Sequence, residues 1–328
     1  MSKNVLVVGG AGYIGSHTTL ALKEAGFNAV VYDNFSSGHR DVCFGDALVE
    51  GDLSDTAKLT QVLQDHDIDS VIHFAALIEA GQSVLTPLPF FQNNVAGTLS
   101  LLEAMNAAGV KRLVFSSTAA VYGNSEDAAL LSERLPRAPI NPYGDSKAMV
   151  ETVLESCVAA YGIEAIALRY FNACGADAQG RSGERHDPET HLIPLIIQAA
   201  QGKRAQINVY GTDYDTPDGT CIRDYIHVSD LALGHVAAVT HLQRTRTAGC
   251  TAINLGTGQG QSVRQVIDAV RRVSGVDFKV HEDLRRAGDP AVLVADAQRA
   301  KDVLGWQARH SDLETIIRDA WAYASKTQ

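Results

Sequence analysis

Tyr143 and Lys147 stand four residues apart at the head of an amphipathic stretch, so a helix there projects both side chains from one face. A phenol titrates near 10 and is a weak base at neutral pH, but nearby positive charge favours its phenolate. Drawing it down to about 7 takes roughly 4 kcal/mol, at 1.36 kcal/mol per unit. Ser116, Ser117 and Thr118 close the apolar run that precedes this stretch. A hydroxyl there can hydrogen-bond a reacting oxygen and relay its proton. Tyr143, Lys147 and Thr118 are therefore candidate catalytic residues. The Y-x-x-x-K spacing alone is common on helix surfaces, and its weight comes from what lies upstream.

Upstream, residues 9–15 read GGAGYIG, with Gly9, Gly12 and Gly15 between an apolar run and a helical pattern. Glycines in a strand–turn–helix setting permit a tight turn and let backbone approach a pyrophosphate. The helix N-terminus then offers unpaired N–H groups to it. Asp33 ends the next apolar run. A carboxylate there accepts from adenosine ribose hydroxyls and repels a 2′-phosphate, so the expected cofactor is NAD rather than NADP. Arg40, seven residues on in a loop, weakens that preference only slightly. Asp52 closes the third run and is placed to meet the adenine. A positively charged nicotinamide would add to Lys147 in favouring the Tyr143 phenolate.

These groups need elements to hold them. Short apolar runs at 4–8, 28–33, 47–52, 70–74, 112–117 and 164–170 alternate with helical patterns at 14–25, 56–64, 91–108 and 143–161. The alternation predicts an α/β fold: a doubly wound parallel sheet of Rossmann type with helices on both faces. After residue 175 the rhythm breaks into polar loops at 175–190 and 211–220, long enough to suggest function. The expected organisation is a dinucleotide domain over 1–174, with a return segment near 225–258. A smaller α/β substrate domain occupies mainly 175–328, interleaved with the first.

Composition narrows the partners. The 328 residues carry a formal charge of -10 and no long basic run, which argues against nucleic acid. No apolar stretch is long enough to span a membrane and no signal-peptide pattern opens the chain, so a cytoplasmic location is expected. Cysteines at 43, 157, 174, 221 and 250 lack C-x-x-C spacing, and the eleven histidines show no paired ligand pattern. Neither a disulfide framework nor a bound metal is expected.

More motifs accompany this frame: FAA at 74–76, NNVAGT at 93–98, SSTAAVYG at 116–123, NPYGDSK at 141–147, RYFN at 169–172, RDYIHV at 223–228, NLGTG at 254–258 and RAGD at 286–289. With them the chain resembles the extended short-chain dehydrogenase/reductase family over nearly its whole length. The loop at 213–220 leading into Arg223 is its part most like the UDP-sugar 4-epimerases of that family. The resemblance implies retained NAD+ and interconversion of UDP-galactose and UDP-glucose through a 4-keto sugar. Tyr143 would take the proton of the 4-hydroxyl, Thr118 would bridge to that oxygen, and Lys147 would tune Tyr143 and hold the nicotinamide ribose. Tyr13, Ile14, Asn34, Leu53, Phe74, Ala75, Ala76, Asn93 and Phe171 would join the glycines, Asp33 and Asp52 around the dinucleotide. Asn172, His191, Leu192, Tyr210, Arg223, Arg286, Asp289 and Leu293 would hold the UDP-sugar. A homodimer through helices near 91–108 and 143–161 is likewise implied.

Several positions depart from the family pattern. Val8 replaces a frequent threonine, and Ile78 replaces a lysine that reaches the NAD phosphates in some members. Thr118 replaces serine, and His191 replaces asparagine. Leu293 replaces a bulky tyrosine beside the sugar's 2-substituent, which would leave room for an N-acetyl group. Ala119 and Ala120 stand where nucleotide-sugar dehydratases carry the acid pair that expels water, which argues against elimination. A non-catalytic NAD sensor would not need Tyr143, Lys147 and Thr118 together.

Overall fold

A computed structural model describes residues 3–124, 130–245, 249–286 and 289–326. Its first half alternates as the apolar runs require. Strand β1 (Asn4–Val8) leads through the glycine turn into helix α1 (Tyr13–Glu24). Then follow β2 (Asn28–Asp33), β3 (Ala47–Glu50), α2 (Thr56–Asp65), β4 (Ser70–His73), two short helices α3 (Ala80–Leu85) and α4 (Pro87–Phe90), α5 (Gly97–Ala108), β5 (Arg112–Thr118), α6 (Pro142–Tyr161) and β6 (Glu164–Tyr170). The second half holds β7 (Asn172–Cys174), α7 (Leu192–Ala200), β8 (Ile207–Tyr210), β9 (Ile222–His227), α8 (Val228–Arg244), β10 (Gly249–Leu255), β11 (Gly260–Ser262), α9 (Val263–Ser274), β12 (Val280–Asp283), β13 (Val292–Leu293) and α10 (Leu313–Lys326).

Seven strands form one parallel sheet in the order β10-β6-β5-β4-β1-β2-β3. The order reverses beside β1, and at such a switch point a crevice opens at the carboxyl ends of the strands. One face buries Leu6, Val71, Leu113 and Phe115 against Leu59, Leu101, Met105 and Leu154 of α2, α5 and α6. The other buries Val5, Ile72 and Val114 against Leu22, Leu231 and Val239 of α1 and α8. The sheet's last strand, β10, comes from the second half and pairs with β6 from Gly249↔Glu164 onward. A third core joins α7, α9 and α10, with Ile196, Val266 and Ile316 fully buried. There β9 pairs with β7, β11 and β13, and β8 pairs with β12.

Boundaries differ from the pattern where local bonding intervenes. The helix expected over 91–108 is interrupted by a π-helical turn at Phe91–Ala96 before α5 begins. Asn94 explains it. Its side chain accepts from Leu77 N (2.8 Å) and donates to Leu77 O (3.0 Å) and Ser146 Oγ (3.0 Å). These bonds fix the widened turn that places Asn93 on the crevice. Strand β3 stops at Glu50, so Asp52 lies beyond its end. Strand β10 begins at Gly249, earlier than the strand signal at 254. Helix α6 opens with Pro142 in its first turn and Asn141 as cap, which accepts from Gly144 N at 2.9 Å. That cap sets the phase at which Tyr143 and Lys147 leave the helix.

Candidate active site

A cavity of about 570 Å³ runs along the carboxyl ends of β1, β2, β4, β5 and β6 into the second half of the chain. At one end is the glycine turn. Gly9 has φ +80°, and a Cβ on it would lie 2.6 Å from Ala75 N. A Cβ on Gly15 would lie 2.2 Å from Gly9 O. The turn therefore packs on FAA and on itself, and only glycine fits either place. Gly12 caps α1 without any side-chain bond, and no acid stands in the first turn. Gly12, Tyr13, Ile14 and Gly15 all face the cavity, so the helix N-terminus is presented to it. Tyr13 donates from its phenol to Gly175 O at 2.7 Å, tying the turn to the second half.

Asp33 is buried and already oriented: Ala11 N and Phe35 N donate to its two oxygens at 2.9 and 2.8 Å. Asn34 Nδ2 donates to Asp52 Oδ2 at 2.7 Å, and Ser54 binds the other oxygen. The Ser54 and Asn34 bonds hold the Asp52 carboxyl below its usual range. Arg40 is occupied by Glu50 and lies over the Phe35 ring at 4.1 Å, so it is engaged away from Asp33. Leu53, Phe74, Ala75, Ala76, Asn93 and Phe171 line the same stretch, and Ile78 reaches it with no charge to offer. A cradle that a Cβ would fill, an open helix end and an acid fixed at the end of β2 fit a dinucleotide.

At mid-cavity Thr118, Tyr143 and Lys147 come together. Lys147 is buried; its Nζ donates to Ser116 O at 2.8 Å and lies 4.9 Å from the Phe115 ring. Burial lowers its pKa to about 7. Burial raises the Tyr143 phenol, against a lowering by the Thr118 hydroxyl, and Glu79 raises it further. Burial therefore opposes a phenolate in the chain without its ligand, and the Lys147 ammonium is aimed at the Ser116 carbonyl. Both groups are thereby biased towards neutral forms. A phenolate here needs positive charge brought by a ligand.

The far end is polar. Arg223 donates to Asp289 and to Ile222 O (2.8 Å), and Arg286 lies over the Tyr210 ring at 4.0 Å. Asn172, His191 and Leu192 complete this wall. His191 is flanked by Glu184 and Glu189. Burial alone would lower its pKa, but the two carboxylates outweigh that and raise it to about 10. Leu293 alone of the expected residues is absent from the wall. It pairs with Arg223 in β13 and packs with Phe171 against Val121, Tyr122 and Leu131. Ala287 and Gly288 of the RAGD motif lie outside the described residues. Ser116, noted in the sequence with Ser117 and Thr118, also faces the cavity, as do Tyr170, Glu184 and Arg204. Sequence reading missed the last three. For Tyr170 a signal existed, since it sits at the carboxyl end of a predicted strand.

Other motif residues act as scaffold. Arg169 forks onto Glu151, which also accepts from Ser117 Oγ at 2.6 Å, and Arg169 donates to Tyr122 O–H at 3.0 Å. Tyr122 in turn donates to Asn254 Oδ1 at 2.7 Å, linking β5, β6 and β10. Asp224 is fully buried and accepts from Thr257 N, Gly258 N and Ala295 N, which fixes the NLGTG turn. Replacing Glu151 with Ala strands a buried guanidinium, so Glu151→Ala is expected to lose about 3–5 kcal/mol. Urea unfolding followed by circular dichroism reads this out; a loss under about 1 kcal/mol would show that the pair is dispensable.

The fold and this site define a dinucleotide-binding α/β enzyme. The family model described as NAD dependent epimerase/dehydratase matches residues 5–256, and the chain belongs to that family. It is 50% identical over 325 residues to a UDP-glucose 4-epimerase of Rhizobium leguminosarum bv. trifolii, covering 99% of this chain and 98% of that one. Among solved structures it is similar to a UDP-glucose 4-epimerase from Brucella ovis in complex with NAD. That pair has a TM-score of 0.94 and 48% identity, over 98% of each chain. It is also similar to one from Stenotrophomonas maltophila with bound NAD and formylated UDP-arabinopyranose. That pair has a TM-score of 0.95 and 41% identity, over 99% of this chain and 98% of that one.

Proposed function

We propose that this chain is a UDP-glucose 4-epimerase that retains NAD+ and interconverts UDP-galactose and UDP-glucose, a step of galactose metabolism. The observation that carries the reading is a single cavity joining an open helix N-terminus, a Tyr143/Lys147/Thr118 set and an arginine-bearing wall. Gly9 to Gly15, Asp33 and Asp52 hold the dinucleotide, and Arg223 and Arg286 meet the diphosphate of the sugar nucleotide. Bound NAD+ supplies reversible hydride acceptance at sugar carbon 4 and a positive charge at the nicotinamide. Thr118 hydrogen-bonds the 4-oxygen, and Tyr143 takes its proton and later returns it. Lys147 positions the nicotinamide ribose. The sugar turns over within the cavity before the second proton transfer. Ala119 and Ala120 offer no acid or base after Thr118, so the site oxidises and reduces but does not eliminate water.

Incubating the purified chain with UDP-galactose, without added NAD, tests this. UDP-glucose should accumulate to equilibrium; absence of turnover in a nucleotide-loaded sample would overturn the reading.

Leu293 favours a broader sugar range. No bulky ring stands at that position, and the leucine is drawn back against Tyr122 and Leu131. The expected outcome is measurable turnover of UDP-N-acetylglucosamine, with kcat/KM within about 100-fold of UDP-glucose, since one pocket group discriminates by roughly 1–3 kcal/mol. Undetectable activity on the acetylated sugar would reject it. A homodimer through α5 and α6 rests on the family resemblance; Leu99 and Met149 are exposed on these helices. No helix among the described residues is long and apolar enough to cross a membrane.

A further inference from the structure

Glu184, His186, Glu189 and His191 lie on the loop ahead of α7 with spacing E-x-H-x-x-E-x-H, which matches no metal motif in the sequence. Folding nevertheless brings one ligand atom from each to within 4.8 Å of all the others. His191 Nδ1 is 3.0 Å from Glu184 Oε1 and 3.0 Å from Glu189 Oε1. His186 Nδ1 is 3.2 Å from Glu184 Oε1 and 3.8 Å from Glu189 Oε2. We propose that these four side chains form a binding site for a divalent transition-metal ion of the zinc or cobalt type, stapling the 184–191 loop against the cavity wall.

Three observations carry it. The first is spacing. Zinc binds nitrogen and oxygen at about 2.0–2.2 Å, so neighbouring ligands of a tetrahedral ion stand about 3.4 Å apart. The Nδ1 of each histidine stands 3.0–3.8 Å from an oxygen of Glu184 and from one of Glu189, a range that brackets such an edge, with His191 meeting Glu189 Oε1 and His186 meeting Oε2. The second is the His186 nitrogen. His186 Nδ1 is buried, yet among the described residues it makes no hydrogen bond despite a carboxylate oxygen 3.2 Å away. That nitrogen stands within 4.8 Å of a ligand atom from each of the other three residues. The third is orientation of a ligand from outside. Glu189 Oε1 accepts from Thr190 N and His191 N, each at 2.8 Å, so the carboxylate is fixed before an ion arrives. Two imidazoles and two carboxylates make a neutral site once a dication takes the place of the proton held between His191 and the carboxylates. That donor set suits zinc or cobalt better than magnesium or calcium, which favour all-oxygen shells.

The ion would hold the loop that carries His191 and Leu192 onto the cavity, and the inference stands independently of the sugar turned over. The test uses the full chain after chelator treatment and desalting, titrated with Zn²⁺ by calorimetry and with Co²⁺ by visible absorption. One equivalent of either ion should bind at micromolar or tighter affinity, with cobalt giving the intense bands of four-coordination. Glu184→Gln and His186→Gln should each weaken uptake at least tenfold, while His281→Gln, an exposed histidine elsewhere, should not. Zn²⁺ should raise the thermal midpoint of the unaltered chain and not that of His186→Gln, so the test survives if one variant folds poorly. Absence of saturable uptake, or uptake equally tight in His186→Gln, would overturn the site.

Discussion

Tyr143→Phe is expected to lower kcat by about 10²–10⁴ with little change in KM. In the proposed mechanism the phenol, beside Thr118, exchanges a proton with the 4-oxygen, and positioned proton transfer contributes about 10²–10⁴. Removing it takes away an interaction made in the transition state, so the loss falls on kcat. The ring stays, and folding stability should move by less than about 1 kcal/mol. Steady-state kinetics with UDP-galactose, alongside a melting curve, separate the two. A variant that keeps kcat within tenfold would mean that Thr118 or a water carries the proton instead.

Lys147→Met is expected to lose activity by about 10² or more and yet to stabilise the nucleotide-free chain. The sign follows from protonation. In the unfolded chain Lys147 binds its proton up to pH 10.5, whereas in the folded chain burial lowers the pKa to about 7. Between those values the unfolded state binds more protons, so this group's contribution to stability rises with pH and its penalty is largest at and below pH 7. At 1.36 kcal/mol per unit the penalty is about 4–5 kcal/mol, offset in part by the bond to Ser116 O. Methionine removes it, and the melting point at pH 7 should rise by roughly 3–8 °C. The gain should shrink towards pH 10. Thermal melts of both chains at pH 7 and pH 10, freed of nucleotide, decide the point. Destabilisation at pH 7 would show that the ammonium is better compensated than its surroundings suggest.

The sheet was legible because β1, β4, β5 and β6 are short apolar runs buried on both faces, and Gly9 and Gly15 announced the turn by a spacing that only close backbone approach demands. Tyr143 and Lys147 could be read because helical phase is local. What stayed hidden depends on distant partners. The π-helical turn exists because Asn94 bonds Leu77 and Ser146. The strands β7, β11 and β13 are two or three residues long and carry no period. Spacing reports the charge of Lys147 near Tyr143 but not the burial that raises the phenol in the chain without its ligand. The Glu184 to His191 cluster is invisible in spacing because loop conformation alone makes it converge. Leu293 was expected on the cavity wall, and its side chain instead packs, with Phe171, against Val121, Tyr122 and Leu131.

The central claim is that carbon 4 gives up its hydrogen as hydride and regains the same one, while Tyr143 handles only the hydroxyl proton. UDP-galactose deuterated at carbon 4, converted in ordinary water, tests it most directly by mass spectrometry of the product. The account predicts UDP-glucose that keeps the deuterium at carbon 4. Loss of the label to solvent would mean that the hydrogen leaves as a proton, and would contradict the account.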